Sequence, residues 1–293
     1  MAITLPFAPF FRPNSSGSLA VGDLETLVRL AAHLRGCCIS LSHRSGAPHL
    51  GSALSCIDIL VAAYCTALRI DPKDAFAADR DVFVLSKGHA ATALYGILCA
   101  RGFFHAELLE YYATHGAALP EQPAPGCAPG IELATGSLGH GLPVILGRAL
   151  ANRIKGLDTR CMVVMGDGEC NEGSVWEAAM FASAQGLSAV TAVIDLNGWQ
   201  ATGRSCDIMA LADLRAKWEA FGWRALDVDG HDLAALIRVL ALPRDPDGRP
   251  TAIVARTVKG KGVSFMEDDN NWHYRIPNAV ELAKALGELG VAS

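Results

Sequence analysis

Gly166-Asp167-Gly168-Glu169 and, further along the chain, Asn197 are the residues whose types and setting first suggest chemistry. Each follows a short apolar run, Cys161-Met-Val-Val-Met165 for the first and Ala189-Val-Thr-Ala-Val-Ile194, ending at Asp195, for the second. Both runs are too short for helices and read as buried parallel strands. Open parallel sheets bind ligands in the loops outside the carboxyl ends of their strands. Glycines in such a loop let the backbone approach a phosphate, and a following helix N-terminus attracts negative charge. Asp167 and Asn197, at neighbouring strand ends, would add a carboxylate and a carboxamide, the hard oxygen ligands that Mg²⁺ requires. The chemistry suggested is a metal-diphosphate clamp. Gly-Asp-Gly alone is more often only a turn, with Asn197 a turn or capping residue; the pairing of strand ends favours the clamp.

Nine histidines are a second source of chemistry. His33, His43, His105 and His115 read as surface or packing residues. His49, His89 and His273 lie in loops punctuated by glycine or proline, where a histidine can reach a ligand and exchange protons near neutral pH. Lys87 reads as a structural lysine at a turn. Lys259 and Lys261, in Lys-Gly-Lys-Gly262, fit either a phosphate-binding loop or a solvated basic turn.

These residues need a scaffold. Residues 1–22 read as a poorly structured arm, and residues 23–293 as one domain with a C-terminal extension. Apolar positions recur at helical spacing from Asp23 to Ser42, a second helix starts near Cys56, and Asp81-Val-Phe-Val-Leu85 is a strand running through Ser86-Lys-Gly-His89 into a helix over 90–100. Neither period holds between His115 and Gly141, which reads as a long functional loop. The helix after Gly168 starts near Ser174, since Ser174-Val-Trp-Glu177 is a capping-box pattern. A helix over 211–221, a strand over 224–228, a helix over 232–240 and a strand over 251–256 follow. The alternation implies an α/β fold, a parallel β-sheet with helices on both faces.

Composition agrees with a folded domain. Of 293 residues, 51% are apolar and 19% charged, enough for a large buried core, and 25 basic against 30 acidic residues leave −5 with no single-sign block. Nothing points to nucleic acid. The longest apolar stretch, Ala53 to Leu68, is interrupted by Asp58 and too short for a membrane span, which takes about 20 residues. No signal peptide is recognisable behind Pro6, Pro9 and Pro13. Nine cysteines without CxxC spacing read as reduced, mostly buried thiols of a cytoplasmic protein.

Taken together, Gly166-Asp-Gly-Glu-Cys-Asn-Glu-Gly173 with Asn197, Ala47-Pro-His49-Leu-Gly51, Phe83-Val-Leu-Ser-Lys-Gly-His89, the Gly130–Gly141 segment, Phe221-Gly-Trp223 with Asp229-Gly-His-Asp232, Lys259-Gly-Lys-Gly262 and Trp272-His273 resemble the transketolase family. The resemblance runs from Asp23 to Leu289, in the family's order, and is to the N-terminal subunit of split transketolases, the diphosphate-binding domain of the thiamine diphosphate-binding fold. It implies that thiamine diphosphate and Mg²⁺ are cofactors. Asp167, Asn197 and the backbone carbonyl of Trp199 would coordinate Mg²⁺. Gly166, Gly168, Asn197, His89 and His273 would surround the diphosphate, with Gly136 and Leu138 lining the cofactor. His49, His89 and His273 would face the substrate channel in catalytic roles, and Glu172 would link two active sites near a dimer interface.

The implied reaction transfers a two-carbon ketol unit from a ketose or keto donor to an aldehyde acceptor, or forms a related acyloin C–C bond. Alternatives are a decarboxylating enzyme like 1-deoxyxylulose-phosphate synthase and a non-catalytic, cofactor-holding subunit. Two departures bear on substrate choice: Glu121-Gln122-Pro123 stands where the family usually has Gly-His-Pro, and Leu138-Gly-His140-Gly where it has Leu-Gly-Gln-Gly. Gln122 can hydrogen-bond substrate but cannot shuttle protons. In the family, the glutamate that activates the cofactor's pyrimidine belongs to a domain following the matched region. The expectation is an obligate partner subunit carrying the pyrimidine-binding and C-terminal domains, in an α2β2 assembly.

Overall fold

The computed structural model describes residues 5–209 and 212–291. Among these residues five strands, β1 (Val82–Leu85), β2 (Cys161–Gly166), β3 (Val190–Leu196), β4 (Arg224–Asp229) and β5 (Thr251–Arg256), form one sheet in the order β1-β2-β3-β5-β4. Every pairing is parallel. Among the described residues ten α-helices accompany them: α1 (Val21–Ser45), α2 (Leu50–Ser55), α3 (Ile57–Ala62), α4 (Ala91–Arg101), α5 (Gly141–Ile154), α6 (Gly173–Ala184), α7 (Ser205–Ile208), α8 (Leu214–Ala220), α9 (Leu233–Leu240) and α10 (Ala279–Glu288).

Alternate residues of each strand point to opposite faces, and both faces are packed. Phe83, Leu85, Met162, Val164, Val193 and Ile253 join the core built by α1 to α4, α9 and α10. Val82, Val84, Val163, Met165, Ala192 and Val254 join a second core with α5, α6 and α8. The expected parallel sheet covered on both faces is what forms.

Two local readings differ. The helix expected near Cys56 is preceded by α2, which starts at Leu50; every residue from Leu50 to Ala62 is buried, so no polar face marks its start by periodicity. Ser174 is not a cap: α6 starts at Gly173, Glu172 in the cap position makes no side-chain bond to the helix, and Ser174 Oγ donates instead to the Gly139 carbonyl at 2.9 Å. The helix over 211–221 begins at Leu214 with Asp213 as its cap; Leu211 lies outside the described residues. Residues 5–20 have no helix or strand, yet they are tied down. Ala8 N donates to the Ala100 carbonyl at 2.7 Å and Arg101 returns a bond to the Ala8 carbonyl at 2.7 Å. No helix among the described residues is long and apolar enough to cross a membrane. All nine cysteines are free thiols, seven of them buried.

Candidate active site at the carboxyl edge of the sheet

Because all five strands run parallel, their carboxyl ends share one edge, and the polar loops collect there. Ser86–His89 follow β1, Asp167–Glu169 follow β2, Asn197 follows β3, His231 follows β4 and Thr257–Lys259 follow β5. The long loop before α5 folds across this edge. It lies so close that a methyl group on Gly88 would sit 2.5 Å from the Thr135 carbonyl, and one on Gly141 would sit 2.2 Å from Ser86 Oγ.

His49, His89 and His273 come together from three separate stretches of sequence. Ring centroids are 5.4 Å apart for His49 and His89, 5.0 Å for His49 and His273, and 5.9 Å for His89 and His273. His49 is the residue before α2 and adopts a left-handed φ of 72°, and its backbone N–H donates to the His273 carbonyl at 2.6 Å. The Glu121 carboxylate lies 3.3 Å from His49 Nδ1, and Tyr274 packs edge-on against His273. Burial disfavours the imidazolium form. His89 is driven well below the ordinary histidine range by burial and the Lys87 charge, His273 falls to about 3 through burial and the Lys259 charge, and His49 is lowered by burial against the opposing pull of Glu121. All three rings are therefore neutral near pH 7, able to donate from one nitrogen and accept at the other.

Lys259 and Lys261 are indistinguishable in sequence, and the fold separates them. Lys261 stays partly exposed beside Glu267, at 3.1 Å. Lys259 is 1% exposed and its ammonium donates to Asn270 Oδ1 at 2.7 Å and to His273 Nδ1 at 2.9 Å, both neutral partners. Burial and the nearby Lys87 charge lower it to about 8.

Lys87 is structural, as its place at a turn suggests. It is buried at the end of β1 and pairs with Asp195, a residue that the sequence marks only as the end of a strand. Burial alone would raise the Asp195 carboxyl, but Lys87 and hydrogen bonds from Ser55 and Thr257 hold it below the usual range. Asp195 is thus committed, whereas Asp167, 1% exposed, forms no ion pair among the described residues. Its Oδ2 accepts from Ser205 Oγ at 2.6 Å. Burial, with help from Asp195, pushes its carboxyl up. Asn197 Oδ1 accepts from the Trp199 N–H at 3.0 Å, and Trp199 is pinned by the Arg204 guanidinium 3.7 Å over its ring and by Asp268, which accepts from its Nε1 at 2.8 Å. Asp167, Asn197 and Trp199 therefore occupy consecutive strand-end loops of β2 and β3.

The loop bearing Gly136 and Leu138 is anchored from below by Glu169. This carboxylate is 2% exposed and accepts from Ser86 Oγ and, at 2.8 Å, from Gly139 N–H. In the sequence Glu169 is part of the strand-end motif without a role of its own, since nothing in the spacing links it to Gly139. Gln122 joins the same place: a methyl on Gly136 would lie 1.9 Å from Gln122 Oε1, so the exposed glutamine side chain rests on that glycine. Leu138 is half-buried, and the exposed His140 ring bonds to the Leu138 carbonyl at 3.1 Å. Glu172 is exposed at the start of α6, its Cβ 2.6 Å from where a Gly139 methyl would be. Gly166 ends β2 with open space around it, whereas a methyl on Gly168 would lie 2.9 Å from the Gln200 side chain.

Among the described residues, the buried Thr135 Oγ1 and Gln200 Nε2 at this edge make no hydrogen bond, nor does the acceptor Glu169 Oε2, and His49 Nδ1 meets only the Glu121 carboxylate. Gln200, whose side chain faces Gly168, and the buried Lys259 ammonium, whose hydrogen bonds among the described residues go to the neutral Asn270 and His273, bring donors to this edge. Spare buried donors suit an anionic ligand. The Asp167 carboxylate, the Asn197 carboxamide oxygen and a backbone carbonyl are all hard oxygen donors, the set a small divalent cation takes. The residues present therefore fit a diphosphate with a divalent metal.

Residues 28–292 match the family model described as transketolase, thiamine diphosphate binding domain. The chain belongs to the transketolase family. It is 37% identical over 267 residues to an apulose-4-phosphate transketolase subunit of Phocaeicola vulgatus, covering 91% of this chain and 95% of that relative. It is 39% identical over 222 residues to a 6-deoxy-6-sulfo-D-fructose transketolase subunit of a Clostridium species, covering 76% of this chain and 81% of that one. Among solved structures, transketolase from Leishmania mexicana superimposes with a TM-score of 0.83 at 23% identity, over 90% of this chain and 41% of that one. The fold is thus the transketolase-type thiamine diphosphate-binding fold, and the chain is a transketolase-type transferase subunit.

Proposed function

We propose that this transketolase subunit binds the diphosphate end of thiamine diphosphate through Mg²⁺ and, with a second subunit, transfers a two-carbon ketol unit from a ketose to an aldehyde. The observation that carries the reading is the meeting of three neutral histidines and the buried Lys259 with Asp167 and Asn197 on one sheet edge. Bound thiamine diphosphate would supply the nucleophilic carbon and the electron sink. Asp167, Asn197 and the Trp199 carbonyl would hold Mg²⁺, and Gly166, Gly168, His89, His273 and Lys259 would surround the diphosphate. Gly136 and Leu138 would line the cofactor. His49, His89 and His273, kept neutral by burial, would hydrogen-bond substrate oxygens that gain charge and pass protons to or from them. Gln122, resting on Gly136, would meet substrate, and Glu172 would connect paired sites in an α2β2 assembly. The two relatives' names carry a phosphate and a sulfo group, so a ketose with an anionic tail is the first donor to try.

Calorimetric titration of the assembled enzyme with thiamine diphosphate and Mg²⁺ tests the clamp. Asp167→Ala removes the one carboxylate offered to the metal, and binding should be lost; an unchanged affinity would overturn the assignment.

A further inference from the structure

The Asp229-Gly-His-Asp232 segment closes β4, and the reaction as proposed gives His231 nothing to do. Its ring is nevertheless tightly specified. Nδ1 lies 2.7 Å from Asp58 Oδ2, while Nε2 lies 2.8 Å from the backbone N–H of Val258. An ionised carboxylate can only accept and a peptide N–H can only donate. The ring must therefore carry its proton on Nδ1 and present a bare lone pair at Nε2. Asp58 is fixed in turn by Arg35 of α1, whose Nη2 donates to the same carboxylate oxygen at 2.5 Å. Arg35 also backs the far end of the turn: its Cδ lies 2.8 Å from where a methyl on Gly262 would be. Glu267 accepts the Gly262 N–H at 3.0 Å. The near end of the 258–262 turn is thus held by the β4 loop, backed by Asp58 of α3 and Arg35 of α1, and the far end by Glu267 with Arg35 packed against Gly262.

Val258 immediately precedes Lys259. Gly260 N donates to the Gly51 carbonyl at 3.0 Å, and a methyl on Gly51 would lie 3.0 Å from Lys259 Cγ. The lysine stem has little room to reach its position except from this turn.

We infer that His231 is a positioning residue: held between Asp58 and the Val258 amide as the neutral Nδ1–H form, it fixes the 258–262 turn and so aims Lys259 at His273 and the diphosphate side of the site. The functional half rests on the proposed cofactor reading; the positioning half does not. A carboxylate fixing an imidazole's tautomer and orientation is the device that also orients metal-ligating histidines.

Two measurements on the full chain without cofactor decide the positioning. Nitrogen-detected spectra of the imidazoles should show His231 protonated at Nδ1 and bare at Nε2, and the Val258 amide should exchange slowly with solvent. His231→Gln places an amide oxygen near the former Nε2 and should retain slow exchange. His231→Asn reaches Asp58 but not Val258, and His231→Leu reaches neither, so exchange at Val258 should accelerate about tenfold or more in both. Titration of the assembled enzyme with thiamine diphosphate and Mg²⁺ should then follow the same order, with the Asn and Leu variants about tenfold weaker and the Gln variant near native, the size expected for a supporting partner. A ring protonated at Nε2, or equal exchange in the Gln and Leu variants, would overturn the positioning role. Native binding that all three variants share would overturn its link to the cofactor, whereas native failure to bind counts against the cofactor reading itself.

Discussion

Burial at this sheet edge treats each ionisable side chain according to its neighbours. Lys87 has Asp195 and stays charged, whereas Lys259, equally buried, forms no ion pair among the described residues, and burial with the Lys87 charge lowers it to about 8. A lysine lowered from 10.5 to about 8 binds fewer protons in the folded chain than in the unfolded one between those values. Stability without cofactor should therefore rise with pH across that window, the full cost being present below pH 8. Lys259→Met removes the cost. It should flatten the slope of cofactor-free stability between about pH 8 and pH 10 and weaken thiamine diphosphate binding, while the gain at pH 7 is offset by the lost bonds to Asn270 and His273; urea unfolding at several pH values measures the slope. Gln122 invites a different test. With its amide on Gly136, Gln122→His should raise turnover of xylulose 5-phosphate with ribose 5-phosphate by the assembled enzyme, about tenfold or more if this position governs specificity. Equal turnover by native enzyme and variant would dissociate Gln122 from substrate choice. Asp167 and Asn197 were legible as candidates because strand ends mark them, and the three histidines because the family resemblance singles out their Gly- or Pro-punctuated loops. Lys259 was ambiguous because two lysines share one Gly-rich turn, and only the fold buries one of them. Asp195 gave no signal beyond its place at a strand end.

At the scale of elements, the site depends on loops pressed against each other rather than on long helices. The turn after β1 and the loop before α5 meet backbone to backbone at Gly88 and Thr135. Gly88→Ala would force a methyl to within 2.5 Å of the Thr135 carbonyl, and backbone on both sides leaves little room to yield. The expected cost is about 1–3 kcal/mol in chemical unfolding, in the range of overpacked sites, together with weaker cofactor binding as Gly136 and Leu138 move. Gly173→Ala, which has open space around it, is the control and should change neither. All five strands were visible in the sequence because short apolar runs ending in polar loops are what a sheet buried on both faces produces. The start of α2 was not, since a helix buried all round carries no apolar-polar period. The Ser174 pattern misled for a related reason: a hydroxyl in a helix's first turn can serve another loop instead, and Gly139 takes it. Contacts of the 115–141 loop, with its lack of any period, could be read only from the fold.

At the scale of the whole molecule, the question is what closes the site. His49 has 16% of its side chain exposed, Glu121 has 42%, and Tyr274 is 63% exposed at the same mouth. Water therefore reaches the side of the histidine cluster where substrate would enter. Bound thiamine diphosphate would supply carbanion-type chemistry that water quenches, so ketol transfer calls for a cover over His49, Glu121 and Tyr274. The chain covers 95% of the Phocaeicola vulgatus relative, itself named as one subunit of a transketolase, but 41% of the transketolase from Leishmania mexicana. The longer protein thus has a large region with no counterpart among the matched residues. We expect the purified chain with thiamine diphosphate and Mg²⁺ to show no ketol transfer, and activity to appear on adding a second polypeptide related to the remainder of the longer transketolases. Light scattering should report the mass of two copies of each chain at the stoichiometry that gives full turnover. Full transfer by this chain alone would mean that its own residues exclude water from His49, and the mouth at Glu121 and Tyr274 would then have to close by itself when substrate binds.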